Sequence, residues 1–286
     1  MKLASFSENR GDPRIGIVVG DSVIDVTRRL PDAPRDMIGL MGQWTEYQAR
    51  IESLAASERG DVALASVTLL APVPRPGKIF AIGLNYADHI AESGMATPAE
   101  QLWFTKAVTS VAAPFAAIEL PRVSSQLDYE AELAIVIGKR CRHVPVDRAH
   151  EVIFGYCVAN DVSVRDWQVK TSQFSLGKSF DTHCPYGPWI VTPDEVGDPH
   201  ALGIRCLVNG EVRQRSNTKE LIYDCFEQVA HLSLAMTLEP GDLILTGTPS
   251  GVGIGFKPAR WLVAGDIVRV EIDRIGAIEN RVVAER

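Results

Sequence analysis

The sequence contains no C-x-x-C pair, and its five cysteines, Cys141, Cys157, Cys184, Cys206 and Cys225, are odd in number and widely spaced. That pattern excludes a disulfide framework and a thiolate zinc site and fits reduced thiols. Long apolar runs are missing too. Leu3-Ala4-Ser5-Phe6 is soon followed by Glu8 and Arg10, too short for the apolar region of a secretory signal. The weakly polar stretch from Val108 to Leu120 contains Pro114 and falls short of the roughly 20 residues a membrane span requires. Basic residues are outnumbered, 29 Lys and Arg against 36 Asp and Glu, and the formal charge of -7 has the wrong sign for a partner held through its phosphates. The glycine-rich segment Thr246 to Gly255 lacks both G-K-S/T and G-x-G-x-x-G spacing, which excludes a P-loop and a dinucleotide fingerprint. These absences lead us to expect a cytoplasmic protein that binds neither nucleic acid nor membrane and acts on a small molecule.

What remains is an ordinary globular composition, 46% hydrophobic and 23% charged over 286 residues. At about 150 residues per domain this length allows two domains. Two apolar runs meet at Gly20-Asp21 and predict an N-terminal hairpin over Arg14 to Thr27. Helical spacing of Ile38, Leu40, Met41, Tyr47, Ile51 and Leu54 predicts a helix over Asp36 to Leu54, followed by a polar stretch from Ser57 to Asp61. The segment Ala71 to Gly77 packs three prolines and a glycine into seven residues, which no helix or central strand tolerates. It divides a small N-terminal domain, 1–72, from a larger domain, 73–286. In the latter, short β-like runs dominate: Lys78–Gly83, Ala131–Ile137, Val152–Ala159, Trp189–Val191, Ile204–Val208, Leu243–Leu245 and Ile267–Ile272. One good helix runs from Leu221 to Met236 and stops at Glu239-Pro240-Gly241. The irregular spacing predicts a β-rich α+β fold rather than a βαβ alternation.

Within Asp128-Tyr129-Glu130-Ala131-Glu132-Leu133, a period of two puts Glu130 and Glu132 on one face, with Ala134 and Val136 beyond them. Their Cα atoms lie about 6.7 Å apart on a strand, close enough for both carboxylates to reach one cation. The run ending in Asn160-Asp161 likewise places Asp161 at the end of a face of small residues, Gly155, Cys157 and Ala159. Three buried like charges are costly unless protonated or bound by a cation, and an all-oxygen set favours Mg²⁺ or Mn²⁺ over zinc. The competing reading is a solvated sheet face, on which E-x-E is common. Elsewhere, a short helix from Asn85 to Gly94 puts His89 and Glu92 one turn apart, a pairing suited to general-base work; the alternative is a polar loop histidine. Ser163 to Asp166 fits a capping box that projects Arg165 and Gln168 from one side of a short helix.

Five segments occur in order: Gly83 to His89, Asp128 to Leu133, Asn160 to Gln168, Gly177 to Thr182 and Thr246 to Gly253. Together they resemble the fumarylacetoacetate hydrolase family from about Lys78 to Arg286. The resemblance implies a mixed β-sandwich roll catalytic domain, a homodimer, and one Mg²⁺ or Mn²⁺ held by Glu130, Glu132 and Asp161. It implies 2-oxo acid substrates and reactions that share an enolate held by the cation. It places Lys178 beside the charge on the 2-oxo oxygen, gives His89 and Glu92 the activation of water, and makes Tyr86, Arg165, Gln168 and Thr248 substrate-binding. The backbone amides around Thr248 are expected to hold the substrate carboxylate. Two departures, Gln173-Phe174-Ser175 and His183-Cys184, bear on substrate shape.

The leading expectation is a metal-dependent hydrolase of carbon–carbon bonds in acylpyruvate-type 2,4-dioxo acids. The alternatives are a 2-hydroxyhepta-2,4-diene-1,7-dioate isomerase or oxaloacetate-type decarboxylase of aromatic catabolism, and a non-enzymatic protein that holds a dicarboxylate or sugar acid.

Overall fold

The alternation along one strand organises the molecule. In the computed structural model, which describes residues 1–57, 60–94, 96 and 98–286, the strand Ala131–Ile137 is buried along its whole length. Leu133, Ile135 and Ile137 point into one core, while Ala134 and Val136 point into another. Such a strand must lie between two covering layers, since each face of a sheet needs its own apolar partner. On one side lies a second sheet of five strands, ordered Glu211–Asn217, Gly203–Val208, Ile267–Ile272, Gly276–Ala284, Ile118–Leu120. It contributes Ile204, Cys206, Val268, Val270, Ile272 and Ile278 to the first core. The other side is covered by N-terminal helices that contribute Leu40, Met41, Tyr47 and Ile51 to the second core, with Trp44 edge-on to Phe154 at 4.8 Å. The fold is the strand-rich α+β arrangement expected.

Among the described residues the central sheet has twelve strands. Ala131–Ile137 pairs antiparallel with both Ile153–Asn160 and Leu243–Leu245, and Leu243–Leu245 runs parallel to Ile79–Gly83. The N-terminal hairpin, Arg14–Val19 with Ser22–Asp25, turns at Gly20 with φ 54° and joins this same sheet through Lys2–Ser7, which pairs with Cys184–Val191. The proline-rich segment is irregular, as expected, and is clamped by the Tyr186 hydroxyl, which donates to the Val73 carbonyl and accepts from its amide.

Two helices differ from expectation. Asp36 to Leu54 forms Met37–Gly42 and Trp44–Ala56, interrupted at Gln43, because two glycines weaken the first piece and Asp36 caps it on the Gly39 amide. The last helix begins at Cys225 rather than Leu221, because Asp224 and Glu227 close a capping box there. Of the polar stretch Ser57 to Asp61, residues 58 and 59 lie outside the described residues. Among the described residues no helix is long and apolar enough to cross a membrane.

Candidate functional site

The register of the two central strands assembles the acidic cluster. Ala131 faces Asn160 and Glu132 faces Ala159, so Asp161, one residue past its strand, arrives beside Glu130. Two hydrogen bonds fix this corner: the Glu130 amide donates to Asn160 Oδ1 at 3.0 Å, and the Asp161 amide to the Glu130 carbonyl at 2.9 Å. Carboxylate oxygens of Glu130, Glu132 and Asp161 lie within 4.8 Å of one another, and all three residues are buried. The solvated-face reading of E-x-E is thereby excluded.

Cations surround two of the three. Lys178, only 1% exposed and no surface lysine, puts Nζ 2.6 Å from Glu130 Oε2 and 2.8 Å from Asp161 Oδ2. Arg165 Nη1 lies 2.6 Å from Glu130 Oε1, while its Nε donates to Asp128 Oδ2 at 2.8 Å. Lys106 Nζ lies 2.6 Å from Asp161 Oδ1 and also donates to the Lys178 carbonyl. Glu132 is different. Among the described residues no cation lies within 4.0 Å of its carboxylate, and it accepts a hydrogen bond from the Gly247 amide at 2.7 Å.

The electrostatics follow. Burial pushes the Glu130 carboxyl up, but the charges of Lys178 and Arg165 outweigh it and hold the group at about 2. Glu132 goes the other way: burial, then the charges of Asp161 and Glu130, push it well above the usual carboxylate range. Burial disfavours the Lys178 charge, yet Asp161 and Glu130 overcome that and raise its pKa. A buried, cation-free carboxylate facing two others is costly unless protonated or joined by a cation, and the all-oxygen donors suit a hard divalent ion. The residues present therefore fit such a metal.

A cavity of about 550 Å³ opens onto the cluster. Its wall includes His89, Glu92, Glu130, Glu132, Arg165 and Lys178. His89 Nδ1 lies 3.3 Å from Glu92 Oε2, on the helix Ala87–Ser93 that Gly94 ends at φ 67°. His89 is thus a helical, cavity-facing residue. Gln168 and Thr248 also reach the wall, whereas Asp161 is buried outside it.

Several expectations need correction. Tyr86 is fully buried and off the cavity wall, and its hydroxyl has no partner among the described residues. The helix starts at Ala87 rather than Asn85, whose amide group is spent on Tyr223 and Thr246. No capping box forms at Ser163: its hydroxyl donates to the Asp161 carbonyl, and Val164 occupies the cap position. Arg165 and Gln168 nevertheless share a side, joined at 2.9 Å. Thr248 braces the strand by donating to the Ala131 carbonyl and accepting from Gln214 Nε2. The amides expected to hold a substrate carboxylate already serve the protein's own: Gly247 on Glu132, Ser250 on Asp88, Gly251 on Glu92, and Gly253 and Ile254 on Asp128. Gly251 has φ +96°, and a Cβ there would meet the Arg213 carbonyl at 2.0 Å. Of the two departures noted, Phe174 lines the cavity, while His183 and Cys184 do not.

Sequence reasoning missed Lys106 and the clamp made by Asp128. Only Asp128 carried a signal, its place two residues before Glu130.

The sequence model of the fumarylacetoacetate (FAA) hydrolase C-terminal family matches residues 78–283. The mitochondrial oxaloacetate tautomerase of Xenopus laevis is 43% identical over 99% of this chain and 90% of that protein. The 2,4-didehydro-3-deoxy-L-rhamnonate hydrolase of Sphingomonas sp. (strain SKA58) is 42% identical over 99% and 96%. A crystal structure of maleylpyruvate hydrolase from Sphingobium sp. SYK-6, in complex with manganese (II) ion and pyruvate, superimposes with a TM-score of 0.83 at 35% identity, covering all of both chains. These relatives are enzymes of differing reaction type. With the matched span holding Glu130, Glu132, Asp161 and Lys178 in one buried cluster, the chain belongs to the fumarylacetoacetate hydrolase family.

Proposed function

We propose that the protein is a divalent-metal-dependent hydrolase that cleaves a carbon–carbon bond in acylpyruvate-type 2,4-dioxo acids. The observation that carries this reading is the His89–Glu92 pair on the wall of the same cavity as Glu130, Glu132 and Lys178. Glu130, Glu132 and Asp161 would hold Mg²⁺ or Mn²⁺, which when bound supplies positive charge to the 2-oxo acid head and to the 2-oxo oxygen as it becomes negative. Arg165 Nη2, buried and without an acceptor among the described residues, offers N–H groups to the substrate carboxylate. Lys178, held protonated by its two carboxylates, adds a fixed positive charge beside the head.

With Nδ1–H directed at Glu92, the free lone pair of His89 is on Nε2. It takes a proton from water, and the hydroxide adds to the C4 carbonyl. The C3–C4 bond breaks, its electron pair forms the pyruvate enolate, and a proton from His89 returns to C3. The products are pyruvate and a carboxylic acid. The apolar side chains Leu84, Leu102, Phe104 and Phe174 on the wall suit an acyl chain.

A second reading, tautomerisation of oxaloacetate, is favoured by the 43% identity to the Xenopus laevis enzyme. It needs proton transfer at C3 and no attacking water. Product analysis with acetylpyruvate, oxaloacetate and dienedioates in the presence of Mg²⁺ or Mn²⁺ separates the two. His89→Ala is expected to lower hydrolysis by about 10²-fold or more while enol–keto exchange persists. Absence of cleavage of every 2,4-dioxo acid, or equal loss of both activities in a folded variant, overturns the hydrolytic reading. The homodimer, the cytoplasmic location and the division at residues 72 and 73 belong to the same proposal, to be checked by sedimentation, cell fractionation and separate expression of the two segments.

A further inference from the structure

The helix Ala87–Ser93 that carries His89 has seven residues and no side-chain cap, and isolated helices under about 12 residues are marginal in water. Its orientation is therefore set by what it touches. At its start Asn85 is held by Tyr223 and Thr246, and Ile90 is buried. Along its length two carboxylates one turn apart, Asp88 and Glu92, reach other elements. Glu92 accepts from the Gly251 amide at 3.0 Å, but it also faces His89 Nδ1 and so belongs to the proton-transfer pair. Asp88 stands apart from that chemistry. It is off the cavity wall, its Oδ2 accepts from the Ser216 hydroxyl at 2.7 Å, and its Oδ1 accepts from the Ser250 amide at 3.4 Å.

Ser216 lies on the strand Glu211–Asn217, two residues after Gln214, so the two side chains share a face. That face is the inner one, since Ser216 is paired with Ile204 and Gln214 with Cys206, both members of the first core. Gln214 Oε1 accepts from the Ala131 amide at 2.9 Å, between Glu130 and Glu132. One face of one strand therefore holds both the backbone between the two glutamates and the residue next to His89. We propose that Asp88, seated on Ser216, is the positioning residue that sets His89 against the cluster of Glu130, Glu132 and Asp161, with this strand as their common support. This rests on the role given to His89 above and names what keeps that base in place. Asp88 touches no reacting atom and acts through His89.

The test uses the full chain as wild type, Asp88→Ala, Ser216→Ala, the double variant and Asp88→Asn. Amide exchange over residues 87–94, read by mass spectrometry without substrate or metal, should quicken by about tenfold or more in each alanine variant, as for loss of a hydrogen bond to a charged group. The double variant should go no further, since both substitutions remove one contact. Asp88→Asn, which can still accept from Ser216, should exchange like the wild type. In hydrolysis of 2,4-dioxo acids with Mg²⁺, each alanine variant should lower kcat by about tenfold while KM stays within about twofold. In a His89→Ala background Asp88→Ala should cost nothing more, whereas a general loosening of the fold would lower the residual activity too. Wild-type exchange in both single variants, additive effects of the two, or a kcat loss that persists in the His89→Ala background overturns the role of Asp88. Faster exchange with kcat unchanged overturns it as well. If the wild type cleaves no 2,4-dioxo acid, the hydrolytic reading fails; equal loosening in the two variants then upholds the seat of Asp88 on Ser216, and absence of loosening sinks both.

Discussion

Replacing Glu132 by glutamine should make the metal-free protein more stable and the metal-supplemented protein less responsive to metal. The side chain keeps its shape and can still accept from the Gly247 amide, so packing is retained. What changes is charge. Burial and the neighbouring carboxylates raise the folded pKa of Glu132 well above 4.5. Its stabilising contribution is therefore complete below the unfolded value near 4.5 and is lost as pH rises toward the folded value. Each unit of that difference is worth about 1.4 kcal/mol. Metal-free wild type should lose stability as pH rises above about 4.5 through this group, and Glu132→Gln should lack that part of the slope and be the more stable protein near neutrality.

Metal acts in the opposite sense. At a concentration 100 times Kd, a ligand bound only by the native state adds about 2.7 kcal/mol. For 286 residues this raises Tm by about 4.5 °C. Loss of groups that merely orient metal ligands weakens affinity about 10–100-fold, so loss of one carboxylate ligand should weaken it by at least about 100-fold. At the same metal concentration the gain then falls to about 0.4 kcal/mol, under about 1 °C. The assay is thermal unfolding at fixed pH with chelator and with millimolar Mg²⁺ or Mn²⁺. A folded Glu132→Gln variant with the wild-type metal shift removes Glu132 from the ligand set. Absence of any shift in the wild type removes the metal.

Two further outcomes are expected. A Cβ at Gly177 would meet the Gln168 amide nitrogen at 2.2 Å, so Gly177→Ala must push the one-turn helix carrying Arg165 away from Lys178; chemical denaturation should show a loss of about 1–3 kcal/mol, and an unchanged midpoint would refute that tight contact. Burial depresses His183 to about 4, so its contribution is complete above pH 6.5 and is lost as pH falls through about 4; urea unfolding of His183→Gln should lack up to roughly 3 kcal/mol of that acid slope, and a slope identical to wild type would refute it.

The local pattern revealed the acidic cluster because strand periodicity acts over a few residues. Glu130 and Glu132 share a face for that reason, and Asp161 follows from the same alternation in the neighbouring strand. The His89–Glu92 pair was legible as a spacing on one helix turn. Lys106 was not. It reaches Asp161 because Leu102–Thr105 pairs with Ile79–Gly83, a tertiary fact with no local mark. The Thr246 to Gly255 amides were misread because hydrogen-bond allocation is decided by whatever folds against a loop, here Asp88, Glu92, Asp128 and Glu132, and Tyr86 because tertiary packing buries its ring away from the cavity wall. The capping box at Ser163 failed similarly, since pairing of Leu127–Asp128 with Ser163–Val164 holds that residue in a strand.

The balance of charge bears directly on the proposed function. Asp128, Glu130, Glu132 and Asp161 face Lys106, Lys178 and Arg165, which leaves one negative charge in excess in a buried site. A divalent ion there converts the excess to one positive charge, which the carboxylate of a 2-oxo acid neutralises. The inner end is then balanced and has nothing further to offer a second anionic group. Buried charge without a partner costs several kcal/mol, so a dicarboxylate cannot place both ends in this cluster. The groups that set this balance are fixed by the central sheet and its register, so a change at any one of them alters the charge of the whole cluster.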